Sequence, residues 1–154
     1  MKNFLLLILI SSLLAINVQA QYRQRKNISE PIKVVTIYTS SIILNAVGDG
    51  LNDSGNKMWG HSLNALSTGL LLVSPFIVDY DKSKWGYYLT SYVFLRIALF
   101  DPVYNKTRGL PITNIGNTSP WDKFMQTLSP PDGFMFGRGV YFLVGVTIPF
   151  KTGK

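Results

Sequence analysis

The feature that most limits the fold is a succession of long apolar segments, each interrupted by polar or charged residues. They run from Ile32 to about Asn52, from Lys57 to Tyr80, from Trp85 to Tyr104 and from Phe134 to Phe150. Each is on the order of 20 residues, which is long for a strand and enough to cross a bilayer or to form one side of a bundle. The interruptions are Asn64, Ser67 and Thr68 in the second segment, Arg96 in the third and Arg138 in the fourth. A charge at mid-bilayer is costly unless paired, so these side chains are expected to face other helices rather than lipid. The first segment is rich in β-branched residues, which suit a strand. Its length and its continuation through Ala46, Val47 and Leu51 favour a helix instead. Gly48, Gly50 and Gly55, with Asn52, Asp53 and Ser54, predict the turn that ends it. Pro75 is expected to kink the second segment, and Ser83 is the expected N-cap of the third.

The expected fold is therefore an all-α four-helix bundle, a single domain over residues 32–150, membrane-embedded or membrane-apposed. Residues 105–133 hold Gly109, Pro111, Gly116, Pro120, Pro130, Pro131 and Gly133. They read as a long structured loop before the last helix, with one helical turn at Trp121–Leu128. Loops of this length inside a compact domain are often functional. Trp59, Trp85, Tyr87, Tyr88, Tyr104 and Trp121 collect at segment ends, as an interfacial aromatic belt requires.

Ahead of these segments stands a secretory signal pattern. Lys2 supplies the positive charge, Phe4 to Ile16 an apolar run broken by Ser11 and Ser12, and Val18-Gln19-Ala20 the small residues of a cleavage site. Residues 1–20 are expected to be a cleavable signal peptide, 21–31 a basic leader and 151–154 a basic tail. The expected localisation is export across the inner membrane of a bacterial-type cell to the envelope, with membrane association. The chain has no cysteine, so disulfides, thiol catalysis, cysteine metal sites and a lipoprotein anchor are excluded. The Asn-x-Ser/Thr triplets at Asn27, Asn52, Asn105 and Asn117 would accept glycans only in a eukaryotic secretory route.

Fifteen Lys and Arg against eight acidic residues give a net charge of +7. Much of that excess flanks the domain, at Arg23, Arg25, Lys26, Lys33, Lys151 and Lys154, where basic residues meet anionic headgroups or wall polymers. Membrane lipid is the expected partner. Nucleic acid is not, because the basic residues are not interleaved with aromatics. A protein partner and the oligomeric state stay open.

Few residues carry chemistry. His61 is the only histidine, and it opens the second segment. It is read either as a helix-start histidine bonded to a neighbour or as a ligand or general base. Asp49 and Asp53 stand four apart and, with His61, are the candidate metal ligands, although the surrounding glycines argue for a turn there. Arg96 lies among Tyr92, Val93, Leu99 and Phe100 and must meet a carboxylate or carbonyl oxygens. Asp101, five residues on, falls on a different face, so Asp122, Asp49 and Asp53 are the expected partners. No phosphate-binding loop, nucleophile elbow or metalloprotease helix is present, and nothing calls for a cofactor. The expected role is structural or binding rather than catalytic. One rival is a small membrane enzyme acting on lipid or wall headgroups through His61, Arg96 and Asp122. The other is a soluble exported module that binds polyanions through its basic flanks.

A helix opened by Lys57 and His61, a later helix carrying Arg96, and then Ser119 and Asp122 after a Gly-rich stretch together resemble VanZ-like membrane proteins and related small exported proteins. Arg96 stands where those proteins usually carry an acidic residue. The resemblance implies a helical, membrane-linked protein and transfers no chemistry. Cleavage at the signal pattern has a direct readout: the exported product should begin at Gln21 by intact mass, and retention of Met1 in the membrane fraction would recast residues 1–20 as an anchor.

Overall fold

Five α-helices form among the residues that the computed structural model describes, which are 30–78, 82–115, 120–128 and 134–152. No strand occurs among them. The signal pattern, the leader before Glu30 and the last two residues lie outside that set. Helix α1 spans Glu30–Asp53, α2 Lys57–Ile77, α3 Trp85–Thr107, α4 Pro120–Leu128 and α5 Phe134–Thr147. The bundle is helical as expected, with one helix more. The turn expected at Trp121–Leu128 is a nine-residue helix, α4.

α1 begins two residues before the expected start. Pro31 sits in its first turn, where a missing N–H leaves no bond unmade. Glu30 suits the positive end of the helix dipole. Its carboxylate is held from α3, by the Tyr88 hydroxyl donating to Oε1 and by Lys84 Nζ at 3.4 Å from Oε2. The glycine turn expected from Gly48 onward is not there, because α1 continues through Gly48 and Gly50 to Asp53. Only Gly55 turns the chain, at φ 87°. There Asn56 N–H donates to Leu51 O and Gly55 N–H to Asn52 O, a Schellman ending that needs a left-handed residue. Gly109, at φ 72°, closes α3 in the same way: Leu110 N–H reaches Asn105 O and Gly109 N–H reaches Lys106 O.

Pro75 lies inside α2, which runs on to Ile77. The Leu71 carbonyl, four residues back, loses its usual amide donor to the proline ring and accepts from Ser74 Oγ at 2.7 Å instead. α3 is preceded by a 3-10 turn, Lys82–Lys84, and its N-cap position is Lys84 rather than Ser83.

α1 is the centre of the bundle, packed by both α2 and α3, while α5 packs on α3. Arg138 of α5 meets Ile97 and Asp101, and Gly145 meets Ser91, so α5 runs antiparallel to α3. Val34, Ile37, Val78 and Tyr88 form the apolar cluster at the start of α1. Further along, the α1–α2 contact becomes polar and close. Ser41 and Ser67 are buried and exchange hydrogen bonds, Ser67 Oγ donating to Ser41 O at 2.8 Å and Ser41 Oγ to Ser67 O at 3.2 Å. Two turns on, a Cβ on Gly60 would stand 2.6 Å from Gly48 O, and one on Gly48 would stand 2.9 Å from Gly60 O. Those two glycines are in the chain because the helix backbones touch there.

By length and composition α1 is the one helix among the described residues apolar enough to cross a membrane. The close α1–α2 approach makes a prediction. Gly60→Ala should lower stability by about 1–3 kcal/mol, because the obstructing atoms include backbone. Gly69→Ala, in the same helix with nothing within 4 Å of its added Cβ, should be neutral or stabilise by up to about 1 kcal/mol. Thermal unfolding of both variants compares them, and equal effects would refute the close-contact account.

Candidate functional site

The polar side chains that interrupt the apolar segments converge between the helices. Arg138 of α5 is 3% exposed. One guanidinium nitrogen donates to the Ile97 carbonyl, and the other lies 2.5 Å from Asp101 Oδ2. Ile97 and Asp101 are one helical turn apart, so a single planar fork reads one face of α3 just before Pro102. This is the buried ion pair that fastens α5 to α3.

Arg96 makes a different arrangement from the one its position predicted. It is half-buried, and among the described residues it has no carboxylate partner. Its NH1 donates to Asn45 Oδ1 of α1 at 2.9 Å, and its guanidinium carbon lies 4.4 Å from the centre of the Phe100 ring. The partner does come from another helix, but it is an amide and not Asp122, Asp49 or Asp53. Asn45 in turn donates to Asn64 Oδ1 at 3.0 Å and to Asp49 Oδ2 at 3.4 Å, and Asn64 Nδ2 donates to Asp49 Oδ1 at 2.6 Å. One network thus joins α3, α1 and α2, with Arg96 at one end, Asp49 at the other and two neutral amides between.

At the Asp53 end of α1 a cavity of about 460 Å³ opens between α1, α3 and the segment that follows α3. Its walls carry Asp49, Asn52 and Asp53 of α1, then Phe100, Asp101, Tyr104, Asn105 and Arg108 from α3 and its end. Asn114, Ile115, Asp122 and Met125 close it from the loop and α4. Asp53 accepts from the Tyr104 hydroxyl, and Arg108 lies 2.9 Å from that hydroxyl and 3.9 Å from Asp53. Asn105, 2% exposed, donates to the carbonyls of Ile112 at 3.2 Å and Asn114 at 2.6 Å, which fixes the first part of the loop against the cavity. A second cavity of about 220 Å³ is lined by Arg96, Ile97, Phe100, Asp101 and Met125. Phe100, Asp101 and Met125 belong to both, so the two adjoin.

The residues singled out from sequence divide accordingly. Arg96 lines the smaller cavity and Asp122 the larger, whereas His61 is exposed near the start of α2 and lines neither. Asp49 and Asp53 share the larger cavity without His61, and no three His, Asp or Glu among the described residues stand where they could hold a metal ion. Ser119 lies outside the described residues. Sequence reasoning missed the Arg138–Asp101 pair and the Asn45–Asn64 relay. The signal for the pair was present: Asp101 is the only acid in the third segment and Arg138 the only charge inside the fourth.

No family model, no curated protein and no solved structure matches this chain.

The disruptive arginine is therefore expected to be Arg138. Arg138→Ala leaves Asp101 uncompensated inside the bundle and should cost about 3–5 kcal/mol. Replacing both partners with apolar residues of similar size should cost clearly less than the two single changes added together. A double-mutant cycle in thermal unfolding reads the coupling. Simple additivity would mean that the pair is solvated.

Proposed function

We propose that this chain is a membrane-embedded helical protein of the cell envelope with a binding role, its helices bridged by buried polar residues beside the two adjoining cavities. The observation that carries this reading is the extent of exposed apolar surface on the helices. Among the described residues nineteen large hydrophobic side chains are exposed, against eleven apolar residues in the core. Phe76 at 90%, Phe136 at 82% and Leu72 at 70% exposure head the outward set. They fall in helical stripes: Leu66, Val73, Phe76 and Ile77 on α2, Leu89 and Val93 on α3, and Phe136, Val140 and Leu143 on α5.

The inward set mixes those eleven apolar residues with six polar or charged ones. Ser41, Ser67, Ser74, Ser91, Asn105 and Arg138 are buried. Small residues that allow close backbone approach, inter-helix hydrogen bonds and paired interior charges are how helices associate where lipid removes the hydrophobic drive. Monomeric soluble proteins rarely leave apolar stripes of this extent uncovered. Trp85 and Tyr87 are exposed at the start of α3, beside Lys82 and Lys84, an arrangement suited to the headgroup level. The VanZ-like order of residues agrees with this reading.

A binding role fits better than catalysis through His61, Arg96 and Asp122, because His61 lies away from both cavities. The protein should sediment with membranes and resist both high salt and alkaline carbonate, since apolar burial is not screened as charge attraction is. Release by salt alone would leave only the basic flanks as the attachment, and solubility without detergent would overturn the reading.

A further inference from the structure

Some of the charges that line the cavities sit in ion pairs and some do not. Asp53 is met by Tyr104 and Arg108, and Asp101 by Arg138. Arg96 and Asp49 stand outside those pairs: a guanidinium bonded to one neutral amide, and a carboxylate bonded to two. Of the five N–H donors of an arginine, Arg96 spends one on Asn45. Its guanidinium carbon lies over the Phe100 ring and it lines the smaller cavity, while Asp49 lines the larger one that adjoins it. Stacking and the Asn45 bond orient the guanidinium without neutralising it, the state in which arginine receives a phosphate or carboxylate. A simple dianion is disfavoured, because Asp49, Asp53 and Asp122 share the adjoining space. The larger cavity is within the range of about 300–1,000 Å³ usual for small-ligand sites.

We infer that the two adjoining cavities bind a zwitterionic headgroup with a phosphodiester and a primary amine, as in phosphatidylethanolamine. The phosphate sits on Arg96 and the ammonium is directed toward Asp49. A primary ammonium offers N–H donors to carboxylates, whereas a quaternary ammonium offers none. The inference rests on the membrane reading for the source of the ligand, but short-chain lipids dissolve in water, so the site can be tested whether or not the protein is embedded.

The experiment is titration of the purified full chain with dihexanoyl phosphatidylethanolamine, dihexanoyl phosphatidylglycerol and inorganic phosphate, followed by native mass spectrometry. The expected result is binding of the ethanolamine lipid about tenfold or more tighter than the glycerol lipid, and no comparable binding of phosphate. Arg96→Gln should weaken the ethanolamine lipid by about tenfold or more, Arg96→Lys should retain part of the affinity, and Asp49→Asn should erase the preference between the two lipids. Thermal unfolding identifies any variant that has lost its fold. Should Arg96→Gln unfold, the comparison of Arg96→Lys with the parent decides. Equal affinity for the two lipids, undiminished binding by a folded Arg96→Gln protein, or phosphate binding as tightly as lipid would each overturn the inference. Failure of carbonate resistance with lipid selectivity intact would instead overturn the membrane reading alone.

Discussion

α1 can sit at the centre of the bundle because both neighbours reach its backbone at glycines, α2 at Gly48 through Gly60 O and α3 at Gly50 through Thr107 and Tyr104 O. Where Gly48 faces Gly60 and Ser41 faces Ser67, the helices approach closely enough to exchange hydrogen bonds with each other's carbonyls. That approach brings Asn45 and Asn64 within 3.0 Å of each other and aims both at Asp49. Arg96 can then reach Asn45 from α3. A wider α1–α2 spacing would leave these half-buried polar groups short of partners, at up to about 1–3 kcal/mol apiece. The polar network and the cavities it borders therefore depend on two residues with no side chain to contribute.

The two interior arginines share one chemistry and have opposite roles. Arg138 holds α3 through a carbonyl and a carboxylate one turn apart. Arg96 is positioned by an amide and a ring and keeps its charge. Position in the bundle makes the difference: Arg138 faces the turn of α3 that precedes Pro102, whereas Arg96 lines the smaller cavity, with Met125 of α4 on its wall.

Helix content was legible because the apolar segments are too long for strands. The boundaries at Lys57 and Trp85 follow from the polar breaks before them. The end of α1 was misread: Gly48 and Gly50 look like a turn when only backbone freedom is considered, and they are helical because a neighbouring backbone needs the room. α4 was underestimated because proline and glycine on both sides of Trp121–Leu128 outweighed the amphipathic pattern within it. Arg96 was correctly singled out as needing a partner on another helix. That partner was not legible, since Asn45 gives no sign in the sequence of facing α3 rather than solvent. The pairing of Arg138 was the more accessible inference, because so few acids were available to choose from.

Asn105 is both the first residue of an Asn-Lys-Thr triplet and the clamp on the segment that follows α3. Its amide nitrogen is spent on two carbonyls and its side chain is shut from solvent. A transferase needs that same nitrogen, presented on an open, extended chain. In a host that glycosylates secreted proteins, modification at this position and completion of the fold would be mutually exclusive. A sugar could arrive only while the chain was still emerging, and once there it would hold the loop off the cavity wall for good. Occupancy at Asn105 would then serve as a timer, recording how quickly the end of α3 closes relative to passage across the membrane.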